Sequence, residues 1–399
     1  MSAIDRRAAS PRPFLPRQLV RMLGLATCLG VVGAACQSTV PSSPSPSTAS
    51  QPSATTISAT PSATSRAGCR IGVSWSNHNE NRIGYSFAPA LYEALEAGGG
   101  DYVAMDAQSR QADQIAQINQ AIDDGIDALI VVPMNPDLIE PALERAVAHG
   151  VPVVVLERPV MNPNVLFVGA DEVRAGALVA GALLAARPSG KFVVIKGNAS
   201  YIGSLLLRQG MTQAGLPDVG QSTSRLVNVG ETFIPGWDPN LAQTEMAEFL
   251  KRSGNKVDMA FVEDDAMAGG VIAALKEQGL AGKVLVGASG WDTDNYAQAL
   301  HNVALGLQIV DVEYDLPQEA KIAGEAALAL CSNPRLEDVA TSLGKPAPFT
   351  APGSLTIPAI LVEPVAFDRS NLRTAIDRQP FGGAEYICKD VPPGSVDGC

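Results

Sequence analysis

"QINQAIDDGIDALIVVPMNPDLIEPALERAVAHGVPVVVLERP", Gln117 to Pro159, sets two short apolar runs on either side of a helical pattern. "ALIVVP" (Ala128 to Pro133) and "VPVVVL" (Val151 to Leu156) are β-type runs, too short and too rich in branched side chains for helices. Between them "PDLIEPALERAVAHG" reads as a helix closed by Gly150, the residue type that ends helices most cheaply. Just upstream, Ile115, Ile118 and Ile122 fall at helical spacing and Gly125 closes that helix. Strand, helix and strand in this order make the unit of an α/β fold with parallel sheets.

The stretch ends unusually. A buried strand normally hands over to Gly, Asn, Asp or Ser, yet Leu156 is followed by Glu157 and Arg158. An exposed ion pair at a strand end contributes little, so the pair acquires meaning only from its surroundings.

The same alternation runs outward on both sides. "RIGVSW" and "VLFVGA" complete a first series of strands, and "KFVVI", "SRLVNV", "DMAFV" and "KVLVG" make a second. Helical patterns around Ser204 to Ala214, Pro239 to Arg252 and Ala266 to Gln278 separate the members of the second series. The chain therefore holds two similar α/β halves, a repeat of architecture without a short sequence period.

In such sheets ligands bind beyond the carboxyl ends of the strands. The residues there are Trp75, Asn77 and Arg82, then Met134 and Asn135, then Glu157 and Arg158. In the second half they are Asn198, Ser200 and Tyr201, Phe233 and Trp237, Glu263 to Asp265, and Trp291 with Asp292. All 3 tryptophans of the chain are among them. Aromatic faces beside charged hydrogen-bonding groups suit a polyhydroxylated ring, whose C–H face stacks while its hydroxyls give and accept hydrogen bonds.

The N-terminal region carries different information. Arg6, Arg7, Arg12, Arg17 and Arg21 precede the uncharged run "MLGLATCLGVVGAA", Met22 to Ala35, which is too short to span a bilayer and fits a signal peptide over residues 1–35. Cys36 follows small residues, as the lipid-modified cysteine of a bacterial lipoprotein does. Residues 36–68 are dominated by Ser, Thr, Pro, Ala and Gln, cannot build a core, and read as a tether. Removing residues 1–35 leaves 24 basic and 40 acidic side chains, a charge of −16, which argues against nucleic acid as a partner.

Of the 6 cysteines, Cys69, Cys331, Cys388 and Cys399 remain downstream of the tether, which points to two disulfides in an oxidising compartment. "CKDVPPGSVDGC" is a Pro- and Gly-rich loop able to bring Cys388 to Cys399, leaving Cys69 and Cys331 as the second pair. No metal-ligand spacing is present.

Nucleotide and hydrolase motifs are missing, and His78, His149 and His301 are scattered, so neither an enzyme nor a cofactor is expected. "DTDN" from Asp292 lacks the ligand and turn residues of a calcium loop.

Residues 70 to 365 resemble the type I periplasmic sugar-binding proteins, and within that family the xylose binders most closely. The resemblance lies in the stretch from Gln117 to Pro159, in "GWDPNLAQTEMAEFL", in "VEDDAMAGGVIAALKEQGLAGKV" and in "WDTD". It implies two Rossmann-like lobes, each a parallel sheet flanked by helices, joined by a three-segment hinge. The crossings are expected near Asp171 to Val173, near Gln308 to Tyr314, and after the helix ending near Cys331. The first lobe is then 69–171 with 313–333, and the second 172–312 with 334–399. By the same resemblance Arg82, Glu157, Arg158, Phe233, Asp264 and Asp292 contact a sugar, with Trp75, Asn135, Trp291 and Tyr314 as further candidates. Glu157 stands where the family has Asp, Asp264 where the xylose binders have Asn, and Tyr314 where they have Lys. "ASYIGS" replaces an Asn-rich contact. The implied protein is monomeric, touches the membrane through its lipid alone, and delivers a monosaccharide or related polyol to an ABC permease. A sensor that docks on a receptor kinase, or a binder of another polar solute, is the alternative.

Overall fold

The computed structural model describes residues 68–218, 220–290, 295–344, 348–350, 355–378 and 383–399. The segment read as a signal peptide, Cys36 and all but the last residue of the tether lie outside the described residues, as do Trp291 and Asp292.

Ten strands form the two halves in chain order. The first half holds β1 (Arg70–Trp75), β2 (Asp101–Asp106), β3 (Ala128–Val131), β4 (Val153–Leu156) and β5 (Leu166–Ala170). The second holds β6 (Gly190–Lys196), β7 (Leu226–Phe233), β8 (Met259–Val262), β9 (Leu285–Gly290) and β10 (Val310–Glu313). Four short strands come after them: β11 (Phe349–Thr350), β12 (Thr356–Ile357), β13 (Ala359–Val362) and β14 (Val365–Phe367). The sheets run β13-β5-β4-β3-β1-β2 and β14-β10-β9-β8-β6-β7. The two orders are the same, so the repeat read from the sequence is a repeat of topology. Within these two sheets pairing is parallel except for β14, which lies antiparallel to β10, and β11 and β12 form a separate antiparallel pair.

The strand runs are apolar because helices cover the sheets: every residue of β3, β4 and β8 is buried, as a parallel sheet requires. In the second half, helices Glu172–Ala186 and Ile202–Gln213 approach closely. A Cβ on Gly176 would stand 1.9 Å from the Leu207 carbonyl oxygen, and one on Gly210 would stand 1.8 Å from that of Val173. Glycine is the residue that allows this backbone contact.

The chain passes between sheets three times. After β5 it enters Glu172–Ala186, which packs on β9 and β10, and after β10 it enters helix Leu316–Ser332, which packs on helix Ala88–Ala97 and on β3 and β4. The third does not come directly after Cys331. Because β13 pairs with β5 in the first sheet while β14 pairs with β10 in the second, the chain crosses between Val362 and Val365. The assignment of 334–399 to the second lobe is therefore corrected: β13 belongs to the first sheet, whereas β14 lies in the second. Backbone pairing overrides the cue that a long helix ends the first lobe.

The structure joins Cys69 to Cys331, with Cα atoms 6.0 Å apart, and Cys388 to Cys399, at 5.3 Å. The second closes a small apolar cluster in which Ile387, Val391 and Val396 pack with Phe367, Leu372 and Leu300. Among the described residues no helix is long and apolar enough to cross a membrane.

Candidate functional site

The carboxyl ends of both sheets face a cleft of about 800 Å³. Its first wall comes from the turns after β1, β3 and β4 and includes Glu80, Arg82, Asn135, Asp137, Arg158 and Met161. Its second wall comes from the turns after β6, β7 and β8 and includes Asn198, Ser200, Tyr201, Trp237 and Asp264.

Glu157 explains why the apolar run ends in a charged pair. It is 4% exposed and adopts a left-handed backbone, φ 72°, uncommon for a residue with a side chain and costly unless its surroundings enforce it. That twist leaves the carboxylate beneath the cleft floor, where Oε1 accepts from Arg82 Nε at 2.8 Å. Arg82 also pairs with Glu80. Through Oε1, Glu157 holds Arg82 in place. Its neighbour Arg158 turns to the cleft, with Nη1 donating to the carbonyl oxygens of Pro133 and Met134, each at 3.3 Å. Asn135 lines the cleft while its Oδ1 caps helix Pro136–Ala148, accepting from the backbone N–H groups of Asp137 and Leu138.

The second wall is built differently. Asp264 begins helix Asp265–Glu277, its Oδ1 accepting from Met267 N at 2.9 Å. Behind Tyr201 and Trp237 lies a chamber of about 10 Å³, lined also by Glu172, Glu263 and Tyr314. Glu263 accepts from Gly197 N at 2.9 Å, and Glu172 from the Tyr201 hydroxyl at 2.7 Å. Burial pushes the Glu263 carboxyl up to about 8, against the pull of the Gly197 N–H, and pushes Glu172 to about 7, against the Tyr201 hydrogen bond.

Three expected contacts stand elsewhere. Trp75 is 1% exposed and donates from Nε1 to the Tyr92 hydroxyl at 2.8 Å, inside the core that includes Ile83, Phe87 and Leu91. At the last position of β1 it falls on the pleat facing the helix layer, and a strand end does not by itself aim a side chain at the cleft. Phe233 is half-buried and outside the cleft lining; the Lys196 ammonium sits 4.0 Å from its ring centroid, and Lys196 in turn pairs with Glu231 at 3.3 Å. Tyr314 is buried and faces the inner chamber instead. The aromatic surface of the second wall comes from Trp237 and Tyr201, whose rings meet edge to face at 5.7 Å. Both are strand-end residues in the sequence, yet the family resemblance does not single them out. The signal for Trp237 is "PGW", where Gly236 (φ 66°) and Trp237 (φ 52°) form a left-handed turn that swings the indole toward the cleft.

Known proteins agree with this architecture. The profile of the periplasmic binding protein domain matches residues 71–333. The chain is 28% identical over 293 residues to the D-xylose-binding periplasmic protein of Haemophilus influenzae, covering 73% of this chain and 84% of that one. It is 27% identical over 237 residues to the xylitol-binding protein of Mycolicibacterium smegmatis, covering 56% and 65%. A carbohydrate transporter solute-binding protein from Chloroflexus aurantiacus, solved in complex with D-glucose, shares the fold with TM-score 0.63 at 19% identity, covering 79% of this chain and 97% of that one. The chain belongs to the periplasmic binding protein family. It is an extracytoplasmic solute-binding protein and not an enzyme.

Proposed function

We propose that this protein is a monomeric lipoprotein that captures a monosaccharide, a xylose-like pentose or hexose, or a related polyol, and hands it to an ABC permease. One observation carries the reading. At the cleft floor Arg82 Nη2 and Glu157 Oε2 are both buried, and neither meets a hydrogen-bond partner among the described residues. A buried donor and a buried acceptor left unmade are expensive, and neighbouring hydroxyls of a polyol pair with both at once. Arg158 adds a planar fork suited to two ligand oxygens, and Trp237 and Tyr201 add apolar faces for the ring carbons. The names of the xylose and xylitol binders among its relatives point the same way. Three chain passages between the sheets serve as a hinge, so that closure buries the ligand.

A thermal-shift screen across pentoses, hexoses and cyclitols tests this. A ligand present at about a hundred times its dissociation constant stabilises by about 2.7 kcal/mol, and the absence of any stabilising sugar or polyol overturns the reading. Arg158→Ala is expected to weaken the best ligand at least about a hundredfold, about 2.7 kcal/mol, without loss of fold by circular dichroism. For the anchor, Cys36→Ser is expected to move the protein from the membrane fraction into the soluble fraction.

A further inference from the structure

Glu319 is a buried acid outside the cleft lining, and nothing above gives it a task. It stands in the first turn of helix Leu316–Ser332, which the chain enters at its second passage between the sheets, and it is 1% exposed. Among the described residues it enters no ion pair, and its Oε1 meets no hydrogen-bond partner. An ionised carboxylate is costly in such a place, and the group keeps its proton instead.

The helix packs on β3, β4 and β5, on helix Ala88–Ala97 and on the helical turn Arg82–Phe87. The groups that act on Glu319 are all acidic: Glu157 after β4, its own helix cap Asp315, and Glu172 at the start of the first passage. Burial, followed by these three charges, holds its carboxyl well above the ordinary value. The other elements bring no cation to it. β3 and β5 carry no charged residue, and Glu93 and Glu96 of helix Ala88–Ala97 are exposed. On its own helix Lys321 and Glu325 pair with each other, and Asp338 of helix Leu336–Ser342 pairs with Arg335. Arg82 and Arg158 both lie against Glu157.

We infer that Glu319 is a positioning residue for ligand binding: as the neutral acid it lets Glu157 and Arg82 keep the arrangement that meets ligand hydroxyls, and as the carboxylate it disrupts that arrangement. The charges of Glu157 and Arg82 do not themselves change; a second carboxylate appears next to Glu157 and repels the group that fixes Arg82. This rests on the sugar- and polyol-binding reading above and adds a proton-carrying residue to it. Closure over a ligand removes water from the cleft floor, so an extra charge is tolerated less in the bound state than in the free one. Affinity is therefore full while Glu319 holds its proton and falls as pH rises through its raised value.

Glu319→Gln is close in shape and neutral at every pH. Calorimetry with D-xylose, xylitol and myo-inositol at about pH 6 and about pH 9 compares it with the wild type. For each probe that binds, the variant is expected to match the wild type at the lower pH and to bind at least about tenfold more tightly than the wild type at the higher one. Glu172 and Glu263 titrate in both proteins, so the difference between them isolates Glu319. An affinity ratio that is the same at both pH values overturns the assignment, as does a folded variant that no longer binds at the lower pH. Amide hydrogen exchange of the two ligand-free proteins supplies an arm that needs no sugar. Corrected for intrinsic rate, protection of Arg82–Phe87 is expected to fall between the two pH values in the wild type and to hold in the variant; an equal change in both overturns the assignment. If exchange behaves as expected while no probe binds and the thermal screen is empty, the sugar reading falls and the hold of Glu319 on Arg82 stands.

Discussion

The two walls of the cleft are opposite solutions to placing charge near a ligand. On the first, guanidinium groups are fixed by partners of the same wall: Arg82 by Glu157 and Glu80, Arg158 by two carbonyl oxygens. Behind the second, buried carboxyl groups accept from neutral donors, Glu263 from the Gly197 N–H and Glu172 from the Tyr201 hydroxyl. A pattern made of ion pairs keeps its charges across the ordinary pH range. One made of buried acids holds protons that solvent can remove. The same sheet topology thus presents one wall whose electrostatics are permanent and one whose electrostatics depend on pH.

The strongest challenge to this contrast is Glu157→Ala. Removing one member of a buried pair leaves Arg82 partly uncompensated and is expected to cost about 3–5 kcal/mol of unfolding free energy, together with most of the ligand affinity. Urea denaturation measures the first and calorimetry the second. A loss below about 1 kcal/mol would show that the first wall does not depend on its ion pair.

The second wall is sharpened by pH. The native state keeps a proton on Glu263 up to about pH 8 and on Glu172 up to about 7, whereas both groups start from 4.5. Between those values the folded chain binds more protons than the unfolded one, so stability falls as pH rises from about 5 to 8. Glu263→Gln cannot ionise and still accepts from Gly197. It is expected to be the more stable protein at pH 8.5, by on the order of 2 kcal/mol relative to the difference at pH 5.5. Parallel denaturation curves for the two proteins at both pH values would remove Glu263 from the account.

The smallest effect separates Trp237 from Trp75. Trp237→Ala is expected to weaken ligand binding about tenfold, about 1.4 kcal/mol, with little change in stability. Trp75→Phe is expected to leave affinity unchanged, because Trp75 lies in the core and not in the cleft. The ligand-induced change in intrinsic fluorescence offers an independent check, since it should be smaller in Trp237→Ala and retained in Trp75→Phe.

The two strand series are legible in the sequence because parallel strands under helices are apolar at every position, as in β3, β4 and β8. β2 is harder to read because "DYVAMD" is an edge strand with mixed exposure. β13 and β14 are hidden for another reason: they are only 4 and 3 residues long, and what makes them strands is pairing with β5 and β10, far away in the chain. The site divides the same way. Arg82, Asn135, Arg158 and Asp264 can be named from sequence because each stands close to a strand or helix boundary. Trp75 and Phe233 have the right neighbourhood, but side-chain direction is set by the pleat and by packing, which strand ends alone do not specify. That Glu157 Oε1 is committed to Arg82 depends on a backbone angle that no residue pattern announces.

The Cys69 to Cys331 bridge has a mechanical consequence. Cys69 immediately precedes β1, which lies inside the first sheet between β2 and β3. Tension arriving along the chain from residues before Cys69 would otherwise load β1 directly and unzip it from its neighbours one hydrogen bond at a time. The sulfur link instead diverts the load into the end of helix Leu316–Ser332, which is packed along its length on the same lobe. A pull from the N-terminal side therefore shears a helix against a sheet rather than peeling a strand, and the geometry of the cleft is insulated from whatever holds the chain.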